Sequence, residues 1–226
     1  MLFSKRKNLI YYDIFSMIVP LRYDILIRKN FLEFYTENKR LFIENFDSFF
    51  EKAKLHQYYD FIKLIKIARN KPEILDNESL LMDRYKKYVL DFINLYESIS
   101  KNGFNKKYPI GLKTTADKSM KYYIGDGCHR LTCLMSMGYD RLPSDFVKIK
   151  KIRNYSPRNN TKILFENNQI NREEYFLFLS KLYADGEEIN NCDELVIHVQ
   201  KNNTNSLENL ISIIERDGMM IKTKNE

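Results

Sequence analysis

The sequence predicts an α+β protein, a small mixed β-sheet core with extensive N- and C-terminal helical additions. Apolar residues recur three and four apart, the spacing of one helix face, over Tyr23–Leu41, Asn45–Asn70 and Ser79–Asn102. Short aromatic and β-branched runs over Tyr108–Lys113, Met120–Ile124 and Phe146–Ile152 suit strands. Seven glycines and five prolines in 226 residues leave little chain for linkers. The expected organisation is a mainly helical extension over 1–80 packed on a core over 81–152, then a helical segment over 153–226, in one compact unit.

In chain order, Ile14, Phe15, Met17, Ile18 and Val19 suggest a strand stopped by Pro20. Leu26, Ile27, Phe31, Phe34 and Tyr35 mark the first helix. Arg22 and Asp24 stand at its start, with Arg28 and Lys29 one turn on. Arg22, Asp24 and Lys29 could place charges beside a substrate; the alternative is a solvated helix start with an intrahelical ion pair. The next pattern runs from Phe46 through Phe49, Phe50, Phe61 and Ile65, and its aromatics suit packing rather than base stacking. His56 reads as an ordinary histidine of an amphipathic helix. Pro72 ends that segment, and Asp76 or Asn77 caps the next helix.

The helix over 79–102 carries the stripe Leu81, Tyr85, Tyr88, Phe92, Leu95, Tyr96 and Ile99, and Gly103 stops it. Lys106 and Lys107 follow in a loop, and Thr114–Ser119 reads as a hairpin-like connection between two strands. Lys148, Lys150, Lys151, Arg153 and Arg158 make the third strand and the loop after it basic. That basicity suits either a phosphate-side lid or a lysine-protected sheet edge. Asn171 with Glu174 opens a helix ended by Gly186, and Asp193–Gln200 and Ser206–Arg216 are two further short helices.

The stretch with the most specific pattern is Lys121–Pro143. Tyr122, Tyr123 and Ile124 suit a strand, Gly125-Asp126-Gly127 a sharp turn, and Leu131, Leu134 and Met135 a helix that Gly138 ends. A helix start leaves N–H groups without internal partners at the positive end of its dipole, and Arg130 adds a planar cationic fork. Such a turn expects an anion, most often a phosphate.

Gly127-Cys128-His129-Arg130 resembles the Gly-Cys-His-Arg tetrapeptide of sulfiredoxins. It also resembles the Gly-x-x-Arg-x-x-Ala box of ParB-type partition proteins, with Cys133 at the alanine position. The flanks Ser98–Gly103, Pro109-Ile110 and Arg141-Leu142-Pro143 with Phe146-Val147 resemble that superfamily too, so the likeness covers about 90–150. A ParB/sulfiredoxin-like domain implies nucleotide phosphates bound by Gly125, Gly127, Cys128, His129 and Arg130. Within the superfamily the resemblance is closest in spirit to the small-molecule kinases. It then implies ATP or ADP with Mg²⁺ and a small hydroxyl-bearing substrate; basic surroundings would tolerate an acidic one. The alternatives are a nucleotide-dependent DNA-binding switch and an ATP-dependent reductase using Cys128. The second partition box, Glu-Asn-x-x-Arg, begins at Glu166-Asn167, but its arginine arrives late, at Arg172. The C-terminal pattern is also not that of a helix-turn-helix, and chain length departs from sulfiredoxins.

For a phosphotransferase the candidate catalytic residues are Asp126, His129 and Cys128. Asp126 could cap the helix, hold Mg²⁺ or accept a proton from a substrate hydroxyl. His129, at a helix N-terminus, favours its neutral form and could donate to a phosphoryl oxygen. Cys128 beside Arg130 favours the thiolate. The odd count of three cysteines gives no disulfide framework, and no zinc-binding spacing occurs. A net charge of +7 permits nucleic acid or an anionic small molecule. No signal peptide and no run long enough to span a bilayer stand out, so a reduced, cytoplasmic protein without a membrane partner is expected.

Overall fold

The computed structural model describes residues 10–18, 22–67, 70–115, 122–152 and 160–171. It is a mixed α+β structure, mostly helical, with two small sheets. The chain divides into two compact units, Met1–Asn160 and Thr161–Glu226.

The N-terminal element differs from expectation. A strand, β1, occupies Tyr11–Asp13, and Ile14–Met17 form a helical turn, α1, instead of the expected strand. Ile14, Met17 and Ile18 are all buried, which a helical turn can achieve and an alternating strand cannot. Val19 and Pro20 lie outside the described residues.

Helix α2 spans Asp24–Glu37 and ends sooner than its pattern predicts. Asn38 bonds through Nδ2 to Phe34 O (2.7 Å), and α3 restarts at Lys39–Glu44. The long second pattern is likewise broken into pieces. Helix α4 (Phe46–Ala53) is capped by Asn45, whose side chain accepts from Ser48 N–H at 3.1 Å. Helix α5 (Gln57–Phe61) is capped by His56, whose Nδ1 accepts from Tyr58 N–H at 3.0 Å. His56 is thus a cap rather than a helix-face residue; burial lowers its pKa. The chain continues as a π-helix over Ile62–Ile67, then a 3-10 turn at Pro72–Ile74.

Helix α6, Glu78–Asn102, follows the predicted pattern closely. Asn77 caps it by accepting from Leu80 N–H at 3.1 Å, and Gly103 ends it at φ +76°. Its buried stripe includes Tyr85 and Phe92. Tyr85 Oη donates to Ala53 O (2.9 Å), so the buried hydroxyl is satisfied. Phe31, Tyr58 and Phe61 from α2 and α5 complete an aromatic interior with ring centroids 4.5–5.9 Å apart. Each such ring contributes about 1.5–3 kcal/mol by leaving water.

The main sheet has the order β3-β2-β5. Strand β2 (Ile110–Thr115) pairs antiparallel with β3 (Tyr123–Asp126) and parallel with β5 (Val147–Ile152). A bulge at Gly111/Leu112 interrupts the first pairing, beside Asp126. Between β3 and β5 run helix α7 (Cys128–Ser136) and strand β4 (Arg141–Pro143), which pairs with β1. Helices α2 and α6 pack on α7. Lys148, Lys150 and Lys151 on β5 are exposed. A short helix α8 spans Asn160–Glu166.

The hairpin connection at 116–121, Arg153 and Arg158, Arg172, and the three helices expected beyond Asn171 lie outside the described residues.

Candidate functional site

The strand-turn-helix predicted at 121–138 is present, with its parts in the expected order: β3, then Gly127 as N-cap, then α7. Gly127 has φ +81°, the left-handed region, and a Cβ there would lie 3.2 Å from Ile110 Cα. Only glycine fits this turn without strain. Its N–H goes to Asp126 Oδ1 (2.7 Å), and the first intrahelical bond runs from Leu131 N–H to Gly127 O (2.9 Å). The N–H groups of Cys128, His129 and Arg130 precede that bond, and glycine has no side chain to cap them. The expected alternative of Asp126 as the helix cap does not hold, because its carboxylate stops one residue short of the cap position.

The room left by the glycines is occupied by the chain itself. A Cβ at Gly125 would meet the stem of Lys113 within 2.8 Å, so that lysine lies across the turn. Arg130 folds back, bonding through Nη1 to Tyr108 O, with Nη2 3.9 Å from Asp126 Oδ2. The Asp126 side chain is 86 % exposed and free to meet solvent or substrate. Lys106, in the loop before β2, pairs with Asp145.

The other half of the site comes from α2. Asp24 is fully buried and Arg28 is 2 % exposed. Arg22 Nε donates to Asp24 Oδ1 (2.8 Å), and Arg28 bonds to Asp24 Oδ2. Burial pushes the Asp24 carboxyl up, but Arg28 and Arg22 overcome it and hold the group well below the usual carboxylate range. A solvated helix start is therefore excluded. The expected trio is also rearranged: Lys29 pairs with Glu33 on a more exposed face, and Arg28 takes the inner place.

Arg22 joins the two halves, its Nη2 standing 3.0 Å from Cys128 Sγ. His129 rests on the Phe92 ring with centroids 5.0 Å apart. Burial first, then Arg28 and Lys66, lower its pKa to about 3, so it is neutral as expected. Lys66, from the π-helix, is close enough to feel Arg28, Asp24, Cys128 and Arg22; burial and Arg28 lower its pKa. Two arginines and a lysine thus surround one carboxylate beside an uncapped helix N-terminus. Arg28 Nε has no hydrogen-bond partner among the described residues. Cys133, deeper in α7, is buried, and its thiol is pushed up to about 12.

Arg28 was noted one turn after Asp24 but Lys29 was chosen in its place, and Lys66 was not singled out in the sequence. Arg28 had a signal: counting back from Tyr35 and Phe31 along the apolar stripe reaches 28 and then 24. Lys66 had none, because a π-helical register is not written in a 3.6-residue pattern.

Among the described residues no three His, Cys, Asp or Glu side chains stand together as a metal site, and no helix is long and apolar enough to cross a membrane. Comparison with protein-family models, with curated proteins and with solved structures finds no match.

Proposed function

We propose that the protein is an ATP-dependent phosphotransferase acting on a small hydroxyl-bearing metabolite, with nucleotide phosphates held where the α7 N-terminus meets Arg22 and Lys66. The observation that carries this reading is the excess of positive charge around Asp24, beside three N–H groups that no side chain caps. Buried charge is normally paired. Here two arginines share one carboxylate, and a phosphate would supply the missing negative charge. We further infer that β2, β3, α7 and β5 form a ParB/sulfiredoxin-like core, on the placement of Gly-Cys-His-Arg at the helix start.

The donors at the α7 N-terminus suit the phosphate oxygens of a nucleoside triphosphate. The N–H groups of Cys128 to Arg130, with Arg22 and Lys66, would hold it, and ATP would supply the transferred phosphoryl group. Mg²⁺ is commonly held by one or two carboxylates together with substrate phosphates, and Asp126 is the exposed carboxylate at the turn. His129, neutral above about pH 3, would donate to a phosphoryl oxygen. Asp126, where it does not hold Mg²⁺, would accept the proton of the substrate hydroxyl. The buried Asp24 serves none of these roles; it positions Arg22 and Arg28.

One contact favours a second reading. Arg22 Nη2 stands 3.0 Å from Cys128 Sγ, a cation beside the sulfur such as a reductase using Cys128 would need.

The test is a screen for ADP release from ATP and Mg²⁺ over amino acids, polyols and sugars. The kinase reading expects a stimulating hydroxyl compound, with turnover lost in Asp126→Asn and retained in Cys128→Ser. Loss in Cys128→Ser with retention in Asp126→Asn would move the chemistry to the thiol.

A further inference from the structure

A second cationic recess lies on the far side of Lys66. It is a pocket of about 60 Å³ between the end of the π-helix and α6, lined by Lys66, Asn70, Lys71, Ile74, Arg84 and Tyr88. That space admits roughly four or five water molecules, the size of one tetrahedral oxyanion rather than a nucleoside. Three of the six side chains just named are cations, and no carboxylate lines the pocket. Elsewhere on this surface basic side chains are neutralised: Lys86 by Asp47, Lys87 by Asp91 and Lys54 by Glu78. Lys66, Lys71 and Arg84 form no ion pair among the described residues. The aliphatic floor from Ile74, which is buried, lowers the local dielectric and strengthens attraction for an anion. Asn70 Nδ2 is committed to Lys66 O (2.7 Å), which fixes the turn carrying both residues.

We propose that this pocket binds a phosphate group on the acceptor substrate, so that the substrate class is a phosphorylated hydroxyl metabolite. A phosphate monoester carries close to two negative charges at neutral pH and offers three acceptor oxygens. Arg84 suits it as a planar fork, with Lys66 and Lys71 as point charges. Lys66 stands between this pocket and the Arg22–Asp24–Arg28 cluster. The acceptor's anion would thus lie next to the nucleotide phosphates, with one lysine shared by both. This assignment rests on the phosphotransferase reading for its meaning, but the pocket's affinity for phosphate does not.

The experiment is amide NMR of the whole protein titrated with inorganic phosphate, then separately with ATP, in wild type, Lys71→Gln and Arg84→Gln. Lys71 is exposed and Arg84 half-buried, and neither forms an ion pair among the described residues, so the variants keep the fold, as their unperturbed spectra should show. Phosphate is expected to shift the amides of Lys66, Asn70, Lys71 and Arg84. Either substitution should weaken that response at least tenfold, while ATP affinity changes less than twofold. Equal shifts from chloride at matched ionic strength would overturn the proposal, as would unchanged phosphate affinity in both variants. ATP shifting the amides of Asn70, Lys71 and Arg84, beyond the shared Lys66, would also overturn it, since the pocket would then belong to the nucleotide. Phosphate binding here with no ATP binding anywhere would sink the kinase reading and leave the pocket as an oxyanion site.

Discussion

Two Asp-x-x-x-Arg pairs, Asp24 with Arg28 and Asp126 with Arg130, have the same spacing and opposite environments. The first carboxylate is fully buried and held by two arginines. The second side chain is 86 % exposed, and its arginine stands 3.9 Å off and bonds instead to Tyr108 O. Identical sequence spacing therefore yields a fixed electrostatic centre in one place and a solvent-facing carboxylate in the other. The difference lies in what packs outside the pair. Phe61 stacks on Arg28 at 4.5 Å and Tyr58 closes over the same helix, while the Asp126 side chain stays 86 % exposed. The proposed phosphotransferase uses both kinds: a rigid positive frame, and an exposed carboxylate.

The largest expected effect comes from breaking the buried pair. Asp24→Ala leaves buried Arg28 and part-buried Arg22 without a counter-charge and should cost about 3–5 kcal/mol in urea denaturation. A loss below 1 kcal/mol would mean the pair is solvated after all. Gly127→Ala comes next, at about 1–3 kcal/mol, because its φ of +81° is strained for any other residue and Ile110 blocks the new Cβ. A wild-type midpoint in that variant would show that the turn is not held as described.

The pH dependence sharpens the same contrast. His129 stays neutral in the fold down to about pH 3, whereas the unfolded chain takes up that proton near pH 6.5. Between those values the unfolded state binds more protons, so stability is full above about pH 6.5 and falls as pH drops. Asp24, with its carboxyl lowered, adds loss in the same direction at lower pH. His129→Gln should flatten the slope between pH 4 and 6.5 in denaturation midpoints; an unchanged slope would assign it to other groups.

Asp126→Asn should move stability by no more than about 0.5 kcal/mol, since its side chain is exposed, yet abolish turnover. At the smallest scale, brief alkylation mapped by peptide mass spectrometry should label Cys128 and spare buried Cys133. Equal labelling would mean that α7 opens readily.

Much of the core was legible. Gly127 before an apolar-periodic run, Asn77 before Leu81, and Gly103 after Ile99 each carry a local physical reason, and each marks a boundary in the structure. What was not legible depends on packing. The 46–67 stretch has one continuous period, but His56 prefers to cap, and the last turn widens into a π-helix. At the site, the turn residues announced themselves by type and spacing. Arg28 did not, because an arginine on an apolar face is buried only when a carboxylate one turn away is buried with it. Arg22 reaching Cys128 across 106 positions of sequence is a fact of the tertiary fold.

The most direct test of the central claim is calorimetric titration with ATP, ADP, CTP and GTP, with and without Mg²⁺, in wild type, Lys66→Gln and Asp126→Asn. If the cluster around Asp24 and the α7 N-terminus hold nucleotide phosphates, adenine nucleotides bind. Lys66→Gln then weakens them roughly tenfold through loss of a charged hydrogen bond, while Asp126→Asn leaves Mg²⁺-free binding nearly unchanged. Absence of binding by all four nucleotides, or binding indifferent to Lys66, would contradict it.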